Sequence, residues 1–205
     1  MTPDNNRKII TLLFNPFVYI AGAKALWLGL AGILIAGLVG SLGHTHYDGV
    51  LDTHTGRAAP LWFFLSEGIV DWLSLAVVLL IAGRLSSKTS FRTIDVLGTQ
   101  AMARWPTALV SLLTAPPAFR RFSQQLVEQV MKQGKVEFSG TDAVIFFGVI
   151  LAMIPLLCWM VYLMYKAYSV SCNVKGGRGV GTFIGGLILA EILSKIAIYC
   201  LLKCL

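Results

Sequence analysis

An apolar run from Val180 to Leu202 carries an acid and a base, Glu191 and Lys195, one helical turn apart at its centre. The run is long enough to cross a bilayer, which takes about 20 apolar residues. Ionisable groups at that depth are costly and face other helices or a cavity. The run therefore predicts an integral membrane bundle with polar contacts inside it. Composition agrees: 56% of the residues are hydrophobic, 13% are charged, and the mean hydropathy is +0.74. A water-soluble domain of this make-up could not cover its surface with polar groups.

The net charge of +7 does not point to nucleic acid. Its basic residues sit in short loops beside apolar runs, where they set membrane orientation and meet anionic headgroups. No basic stripe with interleaved aromatics is present. The four cysteines, Cys158, Cys172, Cys200 and Cys204, have no disulfide or metal spacing and read as reduced packing residues. The polar start, Met1 to Lys8, reads as cytoplasmic rather than as a signal peptide.

Two regions are expected: an interfacial N-terminal segment, 1–24, broken at Asn15-Pro16, and a transmembrane domain, 25–205. Spans are predicted at 25–43, 61–83, 95–115, 143–165 and 180–202. The first has small residues (Ala25, Gly29, Gly32, Ala36, Gly40) at the spacing that lets helices approach closely. The third holds Gln100, Arg104 and Pro106 and ends at Pro116-Pro117. Between the third and fourth, 118–133 reads as an amphipathic helix lying in the headgroup plane, with Phe119, Phe122, Leu126, Val127, Val130 and Met131 on one face and Gly134 as its stop. Five crossings with the N-terminus inside leave nine basic residues inside (Arg7, Lys8, Lys24, Arg84, Lys88, Arg92, Lys166, Lys175, Arg178). Six then lie outside (Arg57, Arg120, Arg121, Lys132, Lys135, Lys203). A four-crossing arrangement that omits the third span scores higher on charge alone, twelve to four.

The layout resembles a known family. Asn15-Pro16 precedes a first span, a basic loop leads through Phe91-Arg92-Thr93 into a span bearing Gly98 and Pro106, and Trp159 to Lys166 closes the fourth span before a polar loop and a last one. Over residues 9–203 this is similar to the short bacterial form of the Yip1 family of five-span membrane proteins. The resemblance implies a cytosolic N-terminus, an exterior C-terminus and five spans. In eukaryotic members it goes with Golgi and ER membranes and Rab-type GTPases. Here Gly98 is followed by Thr99, where the family often has Gly-Tyr before the proline of the third span, and the long cytosolic N-terminal region of eukaryotic members is absent. No GTPase-binding residue is therefore carried over.

His44, His46 and His54 share a polar loop with Asp48 and Asp52, the only donor set a metal such as zinc would accept. Polar loops gather His and Asp without any metal, and nothing in the spacing fixes a geometry, so no metal and no cofactor are expected. Gly176, Gly177, Gly179 and Gly181 lack the Lys-Ser/Thr of a nucleotide loop and read as a flexible entry to a helix. HExxH and GxSxG are absent, and no catalytic set is assembled.

The fold class is thus all-α: a polytopic membrane protein with five transmembrane helices and a surface amphipathic helix. Depth counting pairs Arg104 with Glu191 and Asp71 with Lys195 across neighbouring spans. The expected function is non-enzymatic organisation of membrane or partner proteins in the cell (inner) membrane. The expected partners are lipids and a protein or a second copy of the chain. The alternative is a subunit of a small-solute or proton-coupled transporter that uses the buried charges.

Overall fold

The computed structural model describes residues 3–132 and 139–203, without the side chains of 3–5 and 132. The chain forms helices α1 (Pro3–Phe14), α2 (Gly22–Gly43), α3 (Leu61–Ser86), α4 (Thr93–Ala103), α5 (Pro106–Thr114), α6 (Pro117–Lys132), α7 (Gly140–Ser171) and α8 (Gly176–Leu202), with a 3₁₀ turn at Pro16–Val18. A two-residue hairpin pairs β1 (Thr45–His46) with β2 (His54–Thr55) between α2 and α3. Four helices, α2, α3, α7 and α8, are long and apolar enough to cross a membrane.

The N-terminal break falls where Asn15-Pro16 predicts it. Pro16 cannot continue α1 as a hydrogen-bond donor, and α1 stops at Phe14. Phe17 then turns into the core, and the Trp159 indole N–H donates to the Leu13 carbonyl at 3.0 Å.

The third predicted span is not one helix. Pro106 lacks an N–H, so the helical hydrogen bond it would donate is missing. Arg104 and Trp105 close tight i→i−3 turns onto Ala101 and Met102, each at 3.2 Å, with Trp105 keeping right-handed helical angles, and the helix restarts at Pro106. The two pieces still run beside α2 from end to end. Gly98 packs on Gly22, Gly29 on the Ala101–Met102 backbone, Gly32 on the Trp105 ring, and Gly43 on Thr114 and Ala115. Side chains on Gly29 or Gly98 would collide with the facing backbone, so glycine allows this approach.

The other neighbours are antiparallel. Gly37 of α2 meets Phe64 and Leu65 of α3, and Gly68 of α3 meets Ile33. Gly186 of α8 sits on Leu79 of α3, while Arg178 reaches Leu85. Helix α7 answers α4, with Gln100 Nε2 donating to the Met164 carbonyl at 3.1 Å and the Thr99 and Ser171 hydroxyls 2.8 Å apart. The largest core cluster lies where α3, α4, α7 and α8 meet, around Leu75, Leu79, Val96, Met164, Tyr168 and Phe183.

Helix α6 covers the described part of the segment read as amphipathic; position 133 and Gly134 lie outside the described residues. Its apolar face divides in two. Ala118, Phe119 and Phe122 are buried, Phe119 stacking on Phe146 of α7 at 5.0 Å and Phe122 tilted against it at 4.9 Å, whereas Val127, Val130 and Met131 are exposed. Arg121 anchors the helix through a bidentate pair with Asp142, at 2.8 and 2.9 Å.

Candidate functional site

The polar residues of the bundle converge beneath the segment between α2 and α3. Helix α2 ends when His44 takes a left-handed conformation, φ 53°, which turns the chain back over the bundle. The hairpin fixes the two ends of residues 45–55 in register, His46 opposite His54. Between them the chain descends into the bundle: Tyr47 and Val50 are as buried as core residues. Val50 and Leu51 supply the apolar contact, and every backbone polar group carried down needs a partner.

Those partners are the residues that a hydropathy reading marks as anomalous. The Val50 carbonyl accepts from Arg104 Nη1 at 3.2 Å, and the Leu51 N–H donates to Glu191 Oε2 at 2.9 Å. The Tyr47 N–H donates to Glu67 Oε2 at 3.2 Å. The Tyr47 hydroxyl lies 2.9 Å from the Thr107 carbonyl and 2.5 Å from Ser111 Oγ, and burial pushes its pKa up to about 12. It is therefore a donor at any ordinary pH.

Arg104 Nη2 also donates to Asp71 Oδ2 at 3.0 Å. Asp71 is 0% exposed and Arg104 2%, so this ion pair is wholly inside the protein. Asp71 Oδ1 and Gln100 Oε1 have no hydrogen-bond partner among the described residues. Two voids adjoin the network, one beside Arg104 and Phe64 and one beneath Tyr47 and Val50. Each is about 10 Å³, about the room one water needs.

This arrangement corrects the expected pairing. Arg104 meets Asp71 rather than Glu191. Lys195 meets Asp52 at 2.5 Å, with Glu191 at 3.6 Å on its own helix, rather than Asp71. Depth counting placed the charges at compatible levels but left out the loop. That segment enters between α3, α5 and α8 and brings its own carbonyl, N–H and carboxylate to three of the four residues.

Nearer the surface, His46 sits with Nδ1 2.8 Å from Glu67 Oε1 and Nε2 2.8 Å from the Arg57 carbonyl. Both ring nitrogens face acceptors, so with Glu67 ionised the ring donates twice and carries a positive charge. Burial opposes that charge, but the hydrogen bonds to Glu67 and Arg57 outweigh it and raise the His46 pKa above its ordinary value. The ring also stacks on Phe64 at 4.4 Å.

His54 lies 3.2 Å from Asp48, and His44 lies 3.2 Å from Arg120 with its pKa lowered by burial and by that guanidinium. The three histidines thus serve three different partners. No group of three or more His, Cys, Asp or Glu among the described residues could hold a metal. An open groove of about 580 Å³ lies over this corner, with His46, Asp48, His54, Arg57, Phe63 and Glu67 in its wall.

Glu67 is the participant that sequence reasoning missed, and Asp52 was read only as a carboxylate beside the loop histidines, not as the partner of Lys195. Glu67 was legible in part: it lies four residues before Asp71, one turn away on the same face of α3. Asp52 had no signal beyond a polar loop, because nothing local says that the loop descends. Compared with protein-family models, with curated proteins and with solved structures, the chain matches none.

Proposed function

We infer that the chain is a five-crossing protein of the cell membrane, N-terminus cytoplasmic, with a non-enzymatic, Yip1-like role in organising membrane or partner proteins. The observation that carries the reading is the closure of its buried ion pair. Arg104 is satisfied by Asp71 and Val50; the partly buried Glu191 meets Leu51, and the exposed Lys195 meets Asp52. The voids beside them are each about 10 Å³, room for about one water. Such a network fixes how α3, α5, α8 and the loop sit together, the structural use of buried ionic groups.

The fifth crossing is α4 with α5. From Thr93 to Thr114 they cover 22 residues, the same number as α2, beside which they pack at both ends. At about 1.5 Å per residue this is about 33 Å, enough for a hydrocarbon core of about 30 Å. The charge count that favoured four crossings then gives way to packing, since Arg104 is buried in protein rather than exposed to lipid. Helix α6 lies at the hairpin end, with Val127, Val130 and Met131 turned to lipid.

Two experiments test this. A single cysteine at Gln129, in a chain otherwise free of cysteine, should react with an impermeant maleimide from outside intact cells; reaction only after permeabilisation would support four crossings. Proteoliposomes holding the purified chain should show proton and ion leak no greater than empty liposomes. A leak that Glu191→Gln abolishes would establish the transport alternative.

A further inference from the structure

At the end of the bundle opposite the hairpin, some cations are already occupied. Arg92 forms two 2.9 Å hydrogen bonds to Asp95, and Arg84 lies 4.5 Å above the Phe91 ring and 3.3 Å from the Thr93 hydroxyl. Lys88, Lys175 and Arg178 differ. None has a carboxylate partner among the described residues, and the Arg178 guanidinium meets the Leu85 carbonyl at 3.5 Å. All three line one cavity of about 290 Å³, with Ser86, Thr89 and Asn173, and its wall contains no acidic residue. Like charges gathered round a hollow repel one another unless an anion sits among them.

A second observation points the same way. Ser86, the last residue of α3, is 8% exposed and lies in the cavity wall, and its hydroxyl makes no hydrogen bond to any described residue. Its oxygen is not among the buried unpartnered atoms, so it opens to the cavity and can bond a group held there. Asn173, in a left-handed conformation at φ 51°, holds the two loops of the cavity together through its 3.4 Å hydrogen bond to Thr89. Beside it α8 begins with no side-chain cap and no acidic residue in its first turn. A 27-residue helix therefore presents uncapped N–H groups and the positive end of its dipole at the same place.

We propose that this cavity binds a phosphate group, presented by an anionic lipid headgroup or as free phosphate. A tetrahedral anion offers acceptor oxygens in several directions, which suits two ammonium groups, a guanidinium and a hydroxyl converging from α3, α8 and the loops between them. The cavity lies where α3 and α8 end, at the level of the headgroups that flank their apolar stretches. The site does not depend on the number of crossings.

The test uses the full chain purified in detergent. Native mass spectrometry with dioleoylphosphatidic acid against dioleoylphosphatidylcholine should show one phosphatidic acid retained per chain. Titration with inorganic phosphate then separates the sources: phosphate that binds and displaces the lipid supports a site for the free group, and lipid binding alone supports the headgroup. Lys88→Gln, Lys175→Gln and Arg178→Gln should each weaken binding about fivefold, the factor for about 1 kcal/mol per cation at an anionic surface. Ser86→Ala should also weaken it, although it changes no charge. Arg7→Gln with Lys8→Gln removes two charges elsewhere and should have no effect.

Where a variant does not purify as a monodisperse species, the wild-type chain suffices: phosphatidic acid should protect Lys88 and Lys175 from acylation relative to Lys8. Four results would overturn the proposal: no saturable binding of either probe, an equal loss in the Arg7/Lys8 variant, wild-type affinity in Ser86→Ala, or unprotected lysines.

Discussion

Replacing Asp71 by leucine strands the Arg104 guanidinium. That group is 2% exposed and would retain only the Val50 carbonyl. Removing one partner of a buried pair costs about 3–5 kcal/mol, because the other charge remains uncompensated. Arg104→Met strands the Asp71 carboxylate instead. A carboxylate can take up a proton, so this loss should fall at the lower end of that range. It adds about 1 kcal/mol for the Val50 carbonyl, which loses its donor. The double variant removes both charges and leaves only the carbonyl and any imperfect packing, about 1–2 kcal/mol. Additive singles would give at least about 7 kcal/mol, so a coupling of about 5 kcal/mol or more is expected. Reversible unfolding in mixed micelles with increasing dodecyl sulfate measures all four corners of the cycle. Additive losses would refute the reasoning, as would a stronger coupling of Arg104 to Glu191 than to Asp71.

Gly49→Ala should destabilise by about 1–3 kcal/mol, since a side-chain carbon there would collide with the Glu191 carboxylate; the same variant in a Glu191→Ala background should lose much less in the same titration. Tyr47→Phe leaves Ser111 and Thr107 without the hydroxyl and should cost about 1–2 kcal/mol. Because the folded-state pKa of His46 is raised above 6.5, its contribution is complete below that value and is lost as pH rises through the raised one. Stability should therefore fall on going from pH about 6 into the alkaline range, and His46→Gln should flatten that slope.

Hydropathy alone placed four helices well. The spans expected at 25–43, 61–83, 143–165 and 180–202 lie within Gly22–Gly43, Leu61–Ser86, Gly140–Ser171 and Gly176–Leu202. Apolar length is a local property, and lipid imposes it residue by residue. Pro106 signalled trouble in the third span, and the break at Arg104 and Trp105 is its local consequence. The partner of each buried charge was not legible. Counting residues from a membrane boundary gives depth but not direction round the helix axis, and Arg104 and Glu191 were matched on depth alone. Arg104 found Asp71 of α3, and the remaining partners came from residues 50–52, whose Val50 and Leu51 are too few to read as a buried segment. Their descent depends on the space that α3, α5 and α8 leave between them. The apolar face of α6 shows the same limit: the 3.6-residue pattern could not say that Phe119 and Phe122 are buried against α7 while Val127 and Val130 are exposed.

The central claim is that the segment between the hairpin strands seals the charged interior. Cysteine accessibility at Val50 tests it most directly, in a chain otherwise free of cysteine and held in its membrane. Val50 is 1% exposed, whereas Ala58 of the same connection is exposed. Val50→Cys should resist a small impermeant thiol reagent until the protein is unfolded, while Ala58→Cys reacts at once. Equal reaction rates at the two positions would mean that the loop does not descend, and the buried charges would then lie open to water.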